Sequence, residues 1–575
     1  MANAKVVGYK LPVNPNRQQG KVAQGFVTPK QDKLPQVHAI PPRRVLPIIF
    51  IPGIMGSNLR MSAEGQTRLL KKNNIAWRPD NLGVTFPQRN DDPVQRQLRL
   101  DPATTEVDIY DPDNNPTGDA KESADIRHED VTVPFGYGGY AQLDGPMLQS
   151  DSPRSPNART KEQKARARGW GEVYYSSYDD ILASCEASLN GAFSNGSMNI
   201  YLRKHVAGIA PSTWQAHPTL PLKELDEKTM RDTVKGCWFP VHAMGYNWLR
   251  GNGESAVTLS KRIIALIDKY KEQGFQCEKV ILVTHSMGGL VARAIIHPKI
   301  GNLNDKVLGI VHGVMPAIGA GAAYKRMRAG FEGTSVSAKV LGHVGDRVTA
   351  VLGNSQGGLE LLPSEAYGNN WLQVMQNGLT IKSLPERGDP YEEIYKLRGP
   401  WFGLLQEAWI NPAELKVPGI KNTCGLLDLA KDFHRLIATT YHAQSYAHYG
   451  ADAERAAWHR VVWEVDKKAK VGRVDKLKIV TDNAKGEMTM IDPTTASHGP
   501  DGARPFTVKL LDAADPGDQT VPVHSADAQF RSKQFKGIFR QTGYEHQSSY
   551  SDSAVIDATL YSLFQIASTM TWSTS

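Results

Sequence analysis

The sequence predicts an α/β fold with a mostly parallel central sheet and helices on both faces. The prediction depends on three short apolar runs, Val45–Ile51, Val280–Val283 and Val307–Val311, and on helical patterns that lie between or after them. Continuous apolar runs are typical of strands that are buried on both faces. Strands that alternate with helices along a chain form parallel sheets.

The remaining core elements follow in chain order. Gly236–Trp248 resembles a strand, and Ser255–Tyr270 places its apolar residues at helical spacing. Near the end of the chain, Phe506–Leu511 and Lys536–Arg540 are predicted strands, and Asp552–Ala567 is a predicted amphipathic helix. The predicted α/β core therefore comprises residues 45–60, 236–315 and 506–575.

Two long segments interrupt this core. Residues 61–235 are rich in Asp, Pro, Asn and Gly and are predicted to be a loop-rich insertion with one helical island at Tyr175–Leu189. Residues 316–505 carry apolar helical patches at Trp401–Ile410 and Leu426–Tyr441. Long excursions beside a site are often lids, so we expect a helical cap or lid, although plain core packing explains these patches equally well.

The net charge of +8 is concentrated at the start of the chain. Residues 1–44 contain eight lysines and arginines and a single acidic residue, Asp32. Such a basic arm can contact phosphates or lipid headgroups, but a solvated, poorly ordered terminus is the commoner meaning. Because no element of nucleic-acid recognition accompanies the arm, no nucleic-acid partner is predicted.

Cysteine spacing indicates neither a disulfide framework nor a zinc site. The four cysteines are scattered, and we expect them to be reduced: Cys185, Cys237, Cys277 and Cys424. No cofactor and no metal constellation is predicted, with a structural calcium left open. No run approaches the roughly 20 apolar residues of a membrane span, and the first residues lack an apolar signal core. We expect synthesis in the cytoplasm without a cleavable signal.

Ser286 lies between a predicted strand and a predicted helix, in the stretch "VTHSMGG". A serine on such a sharp turn exposes its hydroxyl above the sheet, and Gly288 and Gly289 allow the strand and helix backbones to approach each other. The usual pattern is G-x-S-x-G, and here Thr284 occupies the first position. The motif favours a nucleophile, but a serine that only caps the helix is the alternative.

A serine nucleophile needs a histidine base that is held by a carboxylate, and in this fold the chain order is serine, acid, histidine. Asp518 follows one late predicted strand, and His546 follows the last one. Asp515 remains an alternative acid in the same loop. Three further histidines are expected to be structural or to line the site: His285, His312 and His524.

The oxyanion of an acyl-transfer intermediate needs two backbone N–H donors, one after the nucleophile and one from the first strand-to-helix loop. Met287 supplies the first amide. The loop Pro52–Gly56 is expected to supply the second, with Ile54 as the donor.

Several short motifs together resemble α/β-hydrolase lipases of the group that includes lecithin:cholesterol acyltransferase, lysosomal phospholipase and the GPI-inositol deacylases. They are "IPGIMGS", "GYNW", "VILVTHSMGGLVAR", "LELLPSEAYG", "GDQTVP" and "YEH". The resemblance covers about half of the chain and implies the same oxyanion donors, Ile54 and Met287. The sequence departs from the group at Thr284, where many relatives have glycine or alanine, and at Gln519, where glycine is common. Neither departure removes a reacting group.

A large lipase with insertions and no secretion signal also resembles the bacterial type VI secretion lipase effectors. That resemblance implies delivery into target cells by a signal-independent route, an immunity protein as partner and a carrier on the secretion apparatus. The predicted activity is serine-dependent hydrolysis of lipid acyl esters, such as phospholipids at a membrane surface. The alternatives are a transacylase with the same acyl-enzyme, a non-lipid esterase and, least favoured, a binding protein without catalysis.

Overall fold

The structure is a computed structural model. It describes residues 42–573 except 81–82, 84–87, 115–121, 137–145, 155–156, 195, 334–339 and 495–503. Before residue 42 it describes three short strands, Val13–Pro15, Lys21–Gly25 and Gln36–Ile40, which form an antiparallel sheet. The predicted basic arm therefore contains strands, and the rest of the arm before residue 42 lies outside the described residues.

Six parallel strands form the central sheet. In chain order they are β1 (Ile48–Ile51), β2 (Val241–Ala243), β3 (Val280–His285), β4 (Val307–Gly313), β5 (Ser445–Gly450) and β6 (Phe535–Gln541). Their spatial order is β2-β1-β3-β4-β5-β6. Because the order reverses at β1, the carboxyl ends of β1 and β3 lie side by side, with Ile51 paired to Thr284. A crevice at such a reversal is the usual ligand site of open α/β sheets.

Helices cover both faces of this sheet, as predicted. The four helices are α1 (Tyr175–Asn190), α2 (Asn252–Glu272), α3 (Gly288–Ile296) and α4 (Ser553–Ala567). Alternate residues of each strand point to opposite faces. Leu282 of β3 packs in the cluster that contains α2 and α3, whereas Val283 packs in the cluster that contains α1 and α4. The predicted fold class is confirmed.

The segment 61–235 contains more regular structure than the loop-rich prediction implied. Leu59–Met61 pairs with Ile75–Trp77 and Thr105–Val107 in an antiparallel sheet, and α1 covers one face of the central sheet. The segment also contains short helices and a two-stranded hairpin: Ala63–Arg68, Pro93–Arg99, Ala124–Arg127, Lys161–Ala167, Ile200–His205, Glu227–Val234, Phe193–Ser194 and Ser197–Met198.

The segment 316–505, which we expected to be a helical cap or lid, contains strands as well as helices. It contributes β5 to the central sheet, so the predicted core boundaries are wrong there. It also supplies most of a second, mixed six-stranded sheet. In spatial order this sheet consists of Leu379–Leu384, Leu372–Gln376, Val461–Val465, Phe506–Leu510, Glu487–Ile491 and Lys478–Asp482.

Phe506–Leu510 was predicted to be a core strand and instead belongs to the second sheet, where it pairs antiparallel with Val461–Val465 and Glu487–Ile491. Only Val508 of this strand is buried and Lys509 is exposed, which is typical of a sheet with one solvated face. Of the helical patch Trp401–Ile410 only Glu407–Ile410 is helical, and Gly403 disfavours a longer helix.

The second helical patch is a helix at Ile420–Ile437. The other elements of this half of the chain are short: helices Gly321–Ala329, Gly345–Leu352, Gln356–Leu359, Val523–Ala526 and Ala528–Arg531, and the antiparallel pair Asp452–Ala457 and Asp515–Gly517. Within the described part of the chain, no helix is both long enough and apolar enough to cross a membrane.

Candidate active site

Ser286 occupies the turn between β3 and α3 with φ +51°, in the left-handed region. For a residue other than glycine this conformation costs about 1–2 kcal/mol. Its backbone N–H donates to the carbonyl of Gly313 at the end of β4, over 2.8 Å. A Cβ atom at Gly288 would lie 2.5 Å from the carbonyl oxygen of Pro52, so this position requires glycine because the helix and the first loop nearly touch.

The structure brings the serine, the predicted base and the predicted acid into one hydrogen-bonded chain. The Nε2 atom of His546 lies 2.9 Å from Oγ of Ser286, and its Nδ1 atom lies 2.8 Å from Oδ2 of Asp518. All three residues are buried, and Asp518 is only 1% exposed. A carboxylate on Nδ1 holds the imidazole in the tautomer whose Nε2 can accept a proton from the serine.

Asp518 is fixed by backbone donors as well as by the histidine. Its Oδ1 atom accepts the amides of Thr520 and Val521 at 3.1 and 2.7 Å. Each of these charge-assisted bonds orients the carboxylate, so Oδ2 is left to accept from the imidazole.

The alternative residues lie elsewhere. Asp515 forms an ion pair with Arg460 at 2.8 Å. His524 stacks on His459 with ring centroids 4.0 Å apart, and one of its ring nitrogens is 2.8 Å from the carbonyl of Tyr367. His312 is buried between aromatic rings.

The first loop brings Ile54 to the same place. A Cβ atom at Gly53 would lie 2.9 Å from Cβ of Ser286, which shows how closely this loop approaches the nucleophile turn. Ile54 lines one cavity together with Ser286 and His546. Among the residues that the structure describes, neither the Ile54 amide nor the Met287 amide donates a hydrogen bond to a protein acceptor. Two such amides can both bind an oxyanion.

Comparison with known proteins found a domain profile and a solved structure that match this chain. The profile of the PGAP1-like alpha/beta domain matches residues 253–324, the part of the chain that holds Ser286. A chain of the solved Tle4–Tli4 complex is 29% identical, with a TM-score of 0.70, and the match covers 92% of this chain and 99% of that one. The chain has the α/β-hydrolase fold. No curated protein matches its sequence.

The resemblance of the hydrolase to lipases of this fold is thus confirmed by both the domain profile and the solved structure. Because the match covers nearly the full length of both chains, it includes most of the segments 61–235 and 316–505.

A cavity of about 340 Å³ opens at Ser286 and His546 of the hydrolase. Its wall is mostly apolar, with contributions from the first loop, from the segment 316–361 and from the loop after Asp518. The apolar lining residues are Ile54, Met55, Pro316, Ala320, Ala322, Ala323, Phe331, Leu341, Leu352, Leu361 and Val521. Mostly apolar clefts with a few polar groups are typical of sites for small organic ligands.

One ion pair interrupts this apolar wall. The guanidinium of Arg326 binds the carboxylate of Glu332 at 2.9 Å, and Nζ of Lys325 lies 3.0 Å from the same carboxylate. Burial on its own would raise the pKa of Glu332, but the two cations lower it to about 2. Arg326 also donates to Oγ1 of Thr520, two residues after Asp518. Sequence reasoning missed this cluster, since nothing in its residues signals proximity to the serine.

Gln519 lies next to Asp518 with φ +71°. Glycine adopts this conformation without the steric cost that a side chain adds. Met55, in the first loop, also has a positive φ, of +59°. Backbone strain of this kind concentrates at functional sites.

The sequence predicts that His285 is structural or lines the site. It does line the cavity, and its ring is fully buried between the loop that carries His546 and Tyr178 of α1. Tyr178 was identified from the sequence only as one of the apolar positions of a helix. Among the described residues no group of three or more His, Cys, Asp or Glu side chains could hold a metal ion.

Proposed function

We propose that the hydrolase cleaves acyl esters of lipids with Ser286 as nucleophile, His546 as general base and acid, and Asp518 as the group that orients the imidazole. The observation that carries this proposal is the hydrogen-bonded chain from Asp518 through His546 to Ser286, which ends at the mouth of an apolar cavity.

Acylation begins when Oγ of Ser286 forms a bond to the ester carbonyl carbon while its proton passes to Nε2 of His546. The carbonyl electron pair becomes an oxyanion, which accepts hydrogen bonds from the amides of Ile54 and Met287. The carbon–oxygen bond of the ester then breaks, and the leaving alcohol takes the proton from His546. Asp518 stabilises the imidazolium that exists between these two proton transfers.

Deacylation repeats these steps with water as the nucleophile. His546 removes a proton from the water, the hydroxyl oxygen bonds to the acyl carbon, and the proton returns to Oγ of Ser286 as the acid is released. An alcohol in place of water would give a transacylase.

The lipid preference is argued from the cavity. Its lining is mostly apolar, so an acyl chain could replace water there, and each buried CH₂ group contributes roughly 0.8 kcal/mol. Short soluble esters would gain little of this binding free energy. A membrane-surface ester such as a phospholipid is therefore the substrate class that the site fits best.

The experiment is fatty-acid release from mixed-phospholipid vesicles, with product identification by mass. We expect release by the natural protein and none by Ser286→Ala. The matched control is Ser568→Ala, an exposed serine after α4 whose hydroxyl donates only to a carbonyl of its own helix end. Hydrolysis of short soluble esters without any release from vesicles would contradict the lipid assignment. Addition of a long-chain alcohol distinguishes hydrolysis from acyl transfer by the product formed.

We also infer a biological role as a secreted effector that a protein partner neutralises. The proposal is supported by the match to a chain of the Tle4–Tli4 complex and by the sequence resemblance to type VI secretion lipase effectors. We expect that production of the hydrolase at the membrane of a susceptible bacterium arrests growth and that Ser286→Ala does not. Growth arrest by the inactive variant would contradict a role based on catalysis.

A further inference from the structure

A pair of buried side chains behind the nucleophile has no role in the reaction proposed above. The hydroxyl of Tyr178 lies 3.1 Å from Nδ1 of His285, and Nε2 of the same imidazole lies 2.9 Å from the backbone carbonyl oxygen of His546. Tyr178 and His285 are each no more than 1% exposed. A buried polar pair whose hydrogen bonds are all made holds the surrounding groups in one conformation, because any other conformation would leave polar atoms unpaired.

The direction of every hydrogen bond in this pair follows from the chemistry of the groups. A carbonyl oxygen can only accept, so Nε2 of His285 carries the proton. Burial lowers the pKa of His285 to about 3, and the ring is therefore neutral with Nδ1 as an acceptor. Hence the hydroxyl of Tyr178 donates to Nδ1.

The oxygen of Tyr178 is then free to accept. The amide of Gly53 and the side-chain amide of Gln547 both donate to it, each over 3.5 Å. The network thus connects the first loop at Gly53, the turn between β3 and α3 at His285 and the loop that carries His546 and Gln547. Its centre, Tyr178, comes from α1, in the segment predicted to be a loop-rich insertion.

This network completes the fixation of the His546 backbone. The amide of His546 donates to the carbonyl of Asp518 over 2.9 Å, and its carbonyl accepts from His285. Both peptide groups that flank its Cα atom are therefore held, one by the acid loop and one by the residue next to the nucleophile. The side chain of His546 itself uses both nitrogens for Asp518 and Ser286, so the backbone is where its position can be set.

We propose that Tyr178 and His285 are positioning residues that align His546 with Ser286 through the backbone carbonyl of His546. This inference rests on the proposed function of Ser286, His546 and Asp518. Neither residue touches the reacting atoms; each acts through the position of the base. The distance between nucleophile and base must be kept within a fraction of an ångström for fast proton transfer, so loss of the network lowers the rate of the chemical step.

The test measures kcat and KM for a soluble ester with Tyr178→Phe. This variant removes the hydroxyl and keeps the ring, which packs against Phe50 with centroids 4.8 Å apart. We expect kcat to fall by about tenfold, the effect of one hydrogen bond on the barrier, with little change in KM. The matched control is Tyr561→Phe in α4, a residue that is also buried and whose hydroxyl donates to the carbonyl of Lys223 over 2.7 Å, remote from the site. We expect Tyr561→Phe to keep the kcat of the natural protein.

A second pair of variants tests His285. His285→Gln offers an amide donor and an amide acceptor and should retain more of kcat than His285→Leu, although both lose the imidazole. Rescue by the conservative variant is not expected of a residue that only fills space. Thermal unfolding of each variant identifies any loss of rate that follows from loss of folded protein.

The outcomes separate this inference from the proposed function. If Ser286→Ala is inactive while Tyr178→Phe keeps full kcat, the positioning role is wrong and the triad stands. Equal losses of kcat in Tyr178→Phe and Tyr561→Phe would also overturn it. If Ser286→Ala retains activity, the proposed function itself fails.

Discussion

Asp518 and His546 are joined by two hydrogen bonds, one between side chains and one between backbones. Oδ2 of Asp518 lies 2.8 Å from Nδ1 of His546, and the backbone carbonyl of Asp518 accepts the amide of His546 at 2.9 Å. The two residues are 28 positions apart in the chain and lie on different loops. Asp518 therefore holds both the ring and the main chain of His546.

Replacement of the acid should have a large effect that replacement of its neighbour does not share. Asp518→Asn keeps the shape of the side chain but favours the wrong imidazole tautomer, and we expect kcat to fall by about 10⁴-fold, as in other serine triads. Asp515→Asn removes only the surface ion pair with Arg460 and should leave kcat within a factor of two or so. Steady-state kinetics on a soluble ester checks both. A large loss of kcat for Asp515→Asn but not for Asp518→Asn would show that Asp515, and not Asp518, orients the imidazole.

Replacement of Ser286 by glycine should release backbone strain at the turn between β3 and α3. Ser286 has φ +51°, which glycine adopts without cost. Both Ser286→Gly and Ser286→Ala should be inactive, but the glycine variant should have a free energy of unfolding about 1 kcal/mol higher than the alanine variant, after the larger chain entropy of glycine is subtracted. Chemical denaturation measures the difference. An alanine variant at least as stable as the glycine variant would contradict strain at this turn.

Gly288 should not tolerate a side chain. In Gly288→Ala the added methyl group would overlap the carbonyl oxygens of Ile51 and Pro52, so we expect a loss of about 1–3 kcal/mol of stability together with lower activity. Gly425→Ala is the matched control. It lies in the helix Ile420–Ile437, and beyond its chain neighbours and the backbone of that helix no atom lies within 4 Å of the added methyl group. Alanine also favours a helix over glycine by about 1 kcal/mol. Similar stability of the two variants would show that the loop and helix can separate.

The ion pair in the cavity wall predicts a dependence of stability on pH. The pKa of Glu332 is about 2 in the folded protein and is 4.5 in its ordinary state. A carboxyl group whose pKa is lowered by folding stabilises the protein above its unfolded pKa, and that contribution is lost as pH falls from about 4.5 to about 2. The difference in Tm between the natural protein and Glu332→Gln should therefore shrink over this interval. A difference that stays constant from pH 7 to pH 3 would contradict the lowered pKa.

The sequence predicted the central sheet because its first, third and fourth strands are continuous apolar runs. It missed β5, "SYAHYG", because aromatic and histidine side chains fill that strand and leave no apolar run. The second sheet was missed for a different reason. Its strands have one solvated face, as in Phe506–Leu510, and their order along the sheet depends on pairings distant in the chain.

Some residues of the candidate site could be predicted from the sequence and others could not. Ser286, Asp518 and His546 could be predicted because a sharp strand-to-helix turn and loops after late strands are visible in local sequence. Tyr178 could not, since its helical spacing gives only its burial, and its contact with His285 depends on how α1 lies against the sheet. The pair Arg326 and Glu332 likewise reaches the cavity through tertiary packing alone.

The most direct test of the central claim is covalent labelling with a fluorophosphonate, followed by peptide mass analysis. The proposed activation of Ser286 by His546 predicts one adduct per chain, on the peptide that contains Ser286, and much slower labelling in His546→Ala. Absence of an adduct on folded protein, or an adduct on another serine with Ser286 unmodified, would contradict a catalytic role for Ser286.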